Sequence, residues 1–167
     1  LDRAGPAPPG RDGVNRPDVR IRSAVLADAP ALAALSGQLG YPADPAEMHA
    51  RLSRILARST DAVLVAELAG GAVAGWLHVV EEEPLETGPH ALILGLVVDA
   101  QVRRLAVGRT LVSAAESWTG ARGLTTLLVR SNAARVESHP FYEGLGYTRI
   151  KTQHCYRKAV SGSPEAE

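Results

Sequence analysis

Residues 92–111 read LILGLVVDAQVRRLAVGRTL, and the rest of the fold is organised around this stretch. An unbroken apolar run from Ala91 to Val98 is typical of a buried strand, and a short polar turn follows it. From Val107 onward, apolar residues recur at three- and four-residue steps, which predicts a helix. The first N–H groups of a helix lack internal partners and lie at the positive end of its dipole. The sequence therefore favours a phosphate-binding site at the start of this helix.

The turn combines an accessible backbone with positive charge. Ala106 and Gly108 carry small side chains that leave the peptide N–H groups open to a ligand, and Arg103, Arg104 and Arg109 add cationic groups. Arginines near a helix start are also often only solvated, and that alternative stays open. The predicted anion-binding segment comprises Arg103, Arg104, Leu105, Ala106, Val107, Gly108 and Arg109.

Two short motifs stand in a fixed order along the chain. Residues 103–108 read RRLAVG, and about half a domain later residues 131–135 (SNAAR) precede residues 141–147 (FYEGLGY). Together they resemble the two signatures of the GNAT acetyltransferase superfamily. These are a pyrophosphate-binding Gln/Arg-x-x-Gly-x-Gly/Ala, and an asparagine after a strand followed by Phe-Tyr-x-x-x-Gly-Phe/Tyr. Ala106 departs from the first signature, where the family has glycine.

The resemblance implies a single α/β domain over residues 19–160. Its mixed, mostly antiparallel sheet would be flanked by about four helices and splayed where acetyl-CoA, the co-substrate, enters. The strand ending at Val98 and the strand 124–130 would separate there. Backbone groups of Leu96, Val97 and Val98 would then bind the amides of the pantetheine arm.

The resemblance also assigns roles in the second motif. Tyr142 matches the family's catalytic tyrosine, and a phenol stays protonated at neutral pH and can donate to a departing thiolate. It is alternatively an aromatic residue that only positions the sulfur. Asn132 would bond the pantetheine arm or cap a turn, and Arg135 would reach the 3′-phosphate or stabilise the turn.

The general base is not fixed by the resemblance, because the family's glutamate corresponds to about Leu92, which cannot accept a proton. Two replacements are candidates. His90 lies two residues earlier and on the same strand face, and imidazole titrates near neutrality. Glu82, in the acidic run that ends the preceding strand, could act through a water molecule. Water alone is the third alternative.

The leading interpretation is an N-acetyltransferase that transfers acetyl directly from acetyl-CoA to a primary amine of a small molecule or peptide. A non-catalytic acyl-CoA-binding or sensing module is the main alternative, and an unrelated phosphate-ligand binder is the third. The run Glu81, Glu82, Glu83 and Glu86 would attract a cationic amine, or it is simply a hydrated face.

Composition sets further bounds. Lys+Arg and Asp+Glu are 18 each, which argues against nucleic acid as the main partner. The single cysteine, Cys155, excludes an internal disulfide, and no metal site is expected. We find no signal peptide or membrane-length apolar run and expect a cytoplasmic protein. Residues 1–18 should be a disordered arm and residues 161–167 a flexible tail. Family members are often dimers, so a homodimer stays open.

Periodicity and turn residues give the remaining elements. Strands are predicted over residues 19–24, 62–68, 73–81, 90–98 and 124–130, with a last strand or strand pair over 147–150 and 154–158. Helices are predicted over residues 29–38, 45–58 and 107–120, with a short helix before Gly144. Asp28, Asp44 and Ser138 are the predicted helix caps.

Overall fold

The computed structural model describes residues 18–102 and 106–160 of the chain. Most of the predicted arm, the whole predicted tail, and the predicted site residues Arg103, Arg104 and Leu105 lie outside the described residues. Strands β1 to β5 run over Val19–Ser23, Asp61–Leu68, Val73–Glu82, His90–Val98 and Leu127–Val129. Helices α1 to α4 run over Ala29–Gln38, Pro45–Leu56, Val107–Ala121 and Ser138–Glu143. Short 3₁₀ turns cover Leu26–Asp28 and Ala100–Val102.

The five strands form one sheet in the order β1-β2-β3-β4-β5. Every neighbouring pair is antiparallel except β4 and β5, which run parallel. The prediction of a mixed, mostly antiparallel sheet with about four helices is therefore confirmed for the described part of the chain.

The pairing of β4 with β5 is short, and it ends part-way along β4. The last paired residues are Ile93 and Val129, whereas β4 continues to Val98. Among the described strands, none pairs with this edge of β4 beyond Ile93. Strand β5 itself ends at Val129, so the pairing stops because β5 ends, and the predicted splaying of the two strands stays a prediction.

A β-bulge lies in β4 at the same place. His78 of β3 pairs with Gly95, but the next residue, Val79, pairs with Ile93, so Leu94 is the extra residue. A bulge bends its strand and shifts the alternation of side chains by one position. Because of this shift, Gly95 stays on the same sheet face as His78.

Helices cover both faces of the sheet. On one face, α1 and α2 enclose a buried cluster with β2, to which Leu32, Leu52 and Val65 belong and against which Trp76 packs. Leu77, the neighbour of Trp76, points to the opposite face and is fully buried. Helix α3 packs against β3 and β4, and its buried side chains include Leu111. The result is a layered α/β arrangement.

The helix caps agree with the sequence in one case and differ in two. Asp44 caps α2, since its Oδ1 accepts from the Glu47 N–H at 2.8 Å. Asp28 precedes α1 but makes no cap bond to it. A 3₁₀ turn leads into α1, and the carboxylate turns back to accept from the Val25 N–H and from Arg22. Ser138 is the first residue of α4, and its hydroxyl donates to the carbonyl of Arg135.

The predicted last strands, over residues 147–150 and 154–158, are wrong: residues 147–160 contain no strand. Their apolar side chains are not buried on one side, as a strand on a core would require. Ile150 and Tyr156 are 71% and 89% exposed. Within the described ranges, no helix has the length and apolar character needed to cross a membrane.

The chain divides into two compact units, one ending at Arg130 and the other beginning at Ser131. The sheet, α1, α2 and α3 belong to the first unit, and α4 belongs to the second. The sites in each unit are described separately below.

Candidate active site

The backbone before α3 takes the conformation that a phosphate-binding turn needs. Ala106 has a φ of +63°, in the left-handed region that glycine adopts without strain. Val107 begins the helix and is buried, which fixes the turn against the core, whereas Arg109 is exposed. The first N–H groups of α3 point out of the helix toward solvent or a ligand. Of the predicted anion-binding segment, the structure thus brings Ala106, Val107, Gly108 and Arg109 together at one helix start.

The open edge of β4 is the second part of the site. Leu96 and Val98 pair with β3 on one side, through Leu77 and Gly75. On the other side no described strand covers them. Gly75 allows close approach here, since a Cβ on it would lie 2.7 Å from the Val97 carbonyl oxygen. The uncovered edge offers peptide groups of the kind that a ligand's amides can bind.

The two predicted bases, Glu82 and His90, face each other across β3 and β4. His90 Nε2 lies 3.8 Å from Glu82 Oε2, and His90 Nδ1 lies 3.0 Å from the Gly88 carbonyl oxygen. A carbonyl only accepts hydrogen bonds, so Nδ1 carries the proton, and in the neutral ring Nε2 is the basic nitrogen. The His90 side chain is only 7% exposed, and Arg130 Nη2 is 3.9 Å from the same glutamate oxygen.

The rest of the acidic run is divided between different roles. Glu81 lies on the α3 side of the sheet, where Arg122 Nε donates to its Oε2 at 2.7 Å. The same guanidinium donates to the Ser59 carbonyl and lies 4.7 Å from the centre of the Trp118 ring. Glu81 therefore anchors the end of α3, while Glu83 and Glu86 are exposed.

In the second unit, Tyr142 is half-buried within an aromatic group. Its ring meets Phe141 and Tyr147 edge-to-face, with centroids 5.0 and 5.8 Å away. Burial raises the pKa of the Tyr142 phenol, and the nearby charge of Arg135 opposes that rise. The phenol therefore keeps its proton through neutral pH.

Asn132 and Arg135 lie in the turn before α4. Asn132 Oδ1 accepts from the Ala134 N–H at 3.0 Å, and its carbonyl accepts from the Arg135 N–H at 2.9 Å. Of the two roles open for Asn132, this geometry supports the turn cap. Arg135 is half-buried and electrostatically coupled to Tyr142, so the second motif brings these two side chains together.

The model of the family described as "Acetyltransferase (GNAT) family" matches residues 30–147. The chain belongs to the GNAT acetyltransferase family. A relative named aminoglycoside N(6')-acetyltransferase type 1, from Stenotrophomonas maltophilia, is 30% identical over 147 residues, which cover 86% of this chain and 95% of that protein.

Solved GNAT structures share the fold. The aminoglycoside 6'-N-acetyltransferase AAC(6')-Ih from Acinetobacter baumannii superposes with a TM-score of 0.76 at 16% identity, covering 86% of this chain and 100% of that one. The aminoglycoside N-acetyltransferase AAC(6')-Iy, solved with CoA, gives a TM-score of 0.77 at 19% identity, covering 86% and 97%. The protein is an acetyl-CoA-dependent N-acetyltransferase.

The residues present fit this donor. The left-handed turn at Ala106 exposes the N-terminus of α3 to a diphosphate, and the uncovered edge of β4 suits the amides of pantetheine. Bound acetyl-CoA supplies the activated acyl group.

A cavity of about 330 Å³ lies between the sheet and helices α1 and α2, beside the bulge in β4. Leu94 and Gly95 of the bulge form part of its wall, together with Trp76 and His78 of β3. The Trp76 ring lies so close to β4 that a Cβ on Gly95 would be 2.9 Å from it. The cavity therefore adjoins the point where the pairing of β4 with β5 ends.

Sequence reasoning missed one pair in this wall. His78 Nε2 lies 2.8 Å from Oδ1 of Asp61, a carboxylate that is only 2% exposed. Thr60 Oγ1 donates to the other carboxylate oxygen at 2.9 Å. No sequence motif marks this pair, but the strand register of the β2–β3 hairpin places the two residues close together. Asp61 pairs with Val80, so it lies diagonal to His78 on the same face.

Proposed function

We propose that this GNAT enzyme transfers acetyl directly from acetyl-CoA to a primary amine of a small molecule or peptide. One observation carries the proposal: the same two residues, Leu94 and Gly95, begin the uncovered edge of β4 and line the 330 Å³ cavity. A donor along that edge and an acceptor in the cavity would meet at the bulge. The relatives named for N-acetylation of aminoglycosides act on amino groups of small molecules, which supports the same acceptor chemistry.

The proton of the acceptor would leave through Glu82 and His90. His90 lies four residues before Leu94. At about 3.3 Å per strand residue the pair is roughly 13 Å from the bulge, so water would connect them. The fixed Nδ1–H bond to Gly88 leaves the Nε2 atom of His90 as the acceptor of the relayed proton.

The leaving thiolate would take its proton from Tyr142. Because burial raises the pKa of this phenol, the acid form is the one present near neutral pH. The neighbouring Arg135 would stabilise the phenolate that remains after transfer.

The test is thiol release from acetyl-CoA with a panel of primary amines, for the wild type and for Tyr142→Phe. We expect the variant to lower kcat by at least about 100-fold, in the range for a lost general acid, while CoA affinity in calorimetry stays unchanged. Tyr156→Phe, which changes an exposed phenol of the same unit, is the matched control and should keep full activity. Equal kcat in Tyr142→Phe would refute the acid role. CoA binding without turnover on any amine would instead favour the acyl-CoA-binding module.

A further inference from the structure

The cavity beside the bulge has a wall that is unusual for a polycationic acceptor. Its larger surfaces are apolar and come from α1, α2, the α1–α2 connection and the sheet: Leu32, Tyr41, Met48, Ile55, Trp76 and Leu94. We propose that it binds amines bearing one apolar or aromatic group, with the amino nitrogen beside His78, rather than polycations such as amino sugars. This inference rests on the proposed function and names the acceptor class for the same site.

Charge in the wall supports this choice. No aspartate or glutamate is among the described residues that line the cavity. Arg51 is its one guanidinium, about half exposed, and it is ion-paired with Glu47 one turn earlier in α2. An acceptor with several ammonium groups would have to place positive charge against apolar side chains and near Arg51, which costs free energy unless an anion compensates.

The carboxylate that contacts His78 is already occupied. Asp61 bonds His78 through Oδ1 and Thr60 through Oδ2, and it is nearly inaccessible. Two other polar groups lie deep in the wall: the Ser36 hydroxyl donates to the Leu32 carbonyl at 2.7 Å, and the buried Trp76 Nε1–H can only donate, so it does not bind an ammonium group. The wall thus offers few free hydrogen-bond acceptors for additional ammonium groups.

His78 is the exception, and it orients the acceptor. With Nε2 held on Asp61, its Nδ1 has no bond among the described residues. A carboxylate accepts the Nε2–H, so Nδ1 presents a lone pair to an amine N–H. His78 pairs with Gly95 at the bulge, where the donor's edge of β4 begins. A nitrogen held here would lie at the start of the uncovered edge of β4, and the rest of the acceptor would extend toward α2.

The volume is consistent with such a ligand. At about 30 Å³ for each water-sized group, 330 Å³ accommodates roughly ten groups, enough for one ring with a short chain. Pockets of about this size with mainly apolar walls and few polar groups are typical of small-molecule sites.

The experiment measures kcat/KM of the full chain with acetyl-CoA and four amines: 2-phenylethylamine, hexylamine, spermidine and kanamycin. We expect the two apolar amines to exceed the two polycations by about tenfold or more, the discrimination that an apolar pocket gives. Arg51→Glu then adds an anion to the wall and should shift the ratio toward spermidine by about tenfold. Arg54→Glu makes the same charge change on an exposed residue of α2 outside the wall, and we expect less than a twofold shift from it.

The outcomes separate this inference from the proposed function. If amines are acetylated but spermidine or kanamycin is preferred, the enzyme assignment stands and the apolar-acceptor inference is overturned. An unchanged ratio in Arg51→Glu, or equal shifts in both variants, overturns it as well, because the wall would not be sensing the acceptor's charge. CoA binding without transfer to any amine overturns the proposed function and the inference with it.

Discussion

The sharpest structural prediction concerns Ala106, the residue that departs from the family signature. Ala106 has a φ of +63°, and a side chain in this region collides with its own backbone. We expect Ala106→Gly to stabilise the protein, although glycine is usually the destabilising choice.

The magnitude follows from two opposing terms. A non-glycine residue in the left-handed region costs about 1–2 kcal/mol, which glycine removes. Glycine also gives the unfolded chain more freedom, which costs about 0.4–1 kcal/mol of stability. The net gain is about 1 kcal/mol, or a rise of about 3 °C in Tm for a chain of this size.

The assay is thermal and urea unfolding of Ala106→Gly beside a matched control, Ala114→Gly. Ala114 lies inside α3 with helical backbone. Glycine there should cost about 1 kcal/mol and lower Tm by about 3 °C. The unfolded-state term is common to both variants, so their difference of about 2 kcal/mol reports the native backbone alone. If both variants lose stability equally, residue 106 is not left-handed and the proposed geometry of the phosphate turn is wrong.

Two further predictions test ion pairs. Glu82→Gln and His90→Gln, singly and together, should give non-additive losses in kcat if the two act as one relay, and additive losses would count against it. Asp28→Asn should cost about 2 kcal/mol at pH 7, because it removes the bidentate one of the two carboxylates that bind Arg22, which keeps its bond to Glu67. The Arg22 hydrogen bond lowers the pKa of Asp28, so this stabilisation is present above about pH 4 and is lost as pH falls through the lowered pKa. Urea melts from pH 7 to pH 2 should show wild type and variant converging, and a constant gap would contradict the assignment.

Much of the fold was predictable where one local signal dominated. The bounds of β4 and α1 agree with the sequence, because an unbroken apolar run and a helical period end at clear turn residues. Strand β5 is shorter than its apolar pattern predicts, covering Leu127–Val129 instead of 124–130. The apolar pattern shows which residues a strand would bury, but the pairing with β4 decides which of them form the strand.

The candidate site was predictable in its parts but not in its arrangement. The signature residues could be named from motifs and the two candidate bases from strand alternation and the acidic run, and hairpin pairing makes Glu82 and His90 neighbours. The pair Asp61 and His78 has no motif, since a hydrogen-bonded diagonal pair depends on strand register. The prediction of strands over residues 147–150 and 154–158 was wrong for a related reason. Alternation in a short segment shows what a strand would bury, but it does not show that a partner strand is present.

The bulge at Leu94 explains why the two halves of the site coincide. In the sequence, Leu94 is one apolar residue in a continuous run, so nothing marks it as the extra one. In the structure, the shift keeps Gly95 opposite His78 on the cavity face, where regular alternation would turn it toward α3. The bend also coincides with the end of β5 pairing at Ile93. One inserted residue thus sets which face of β4 borders the cavity, at the place where its uncovered edge begins, so deleting Leu94 should abolish transfer even if the sheet reforms.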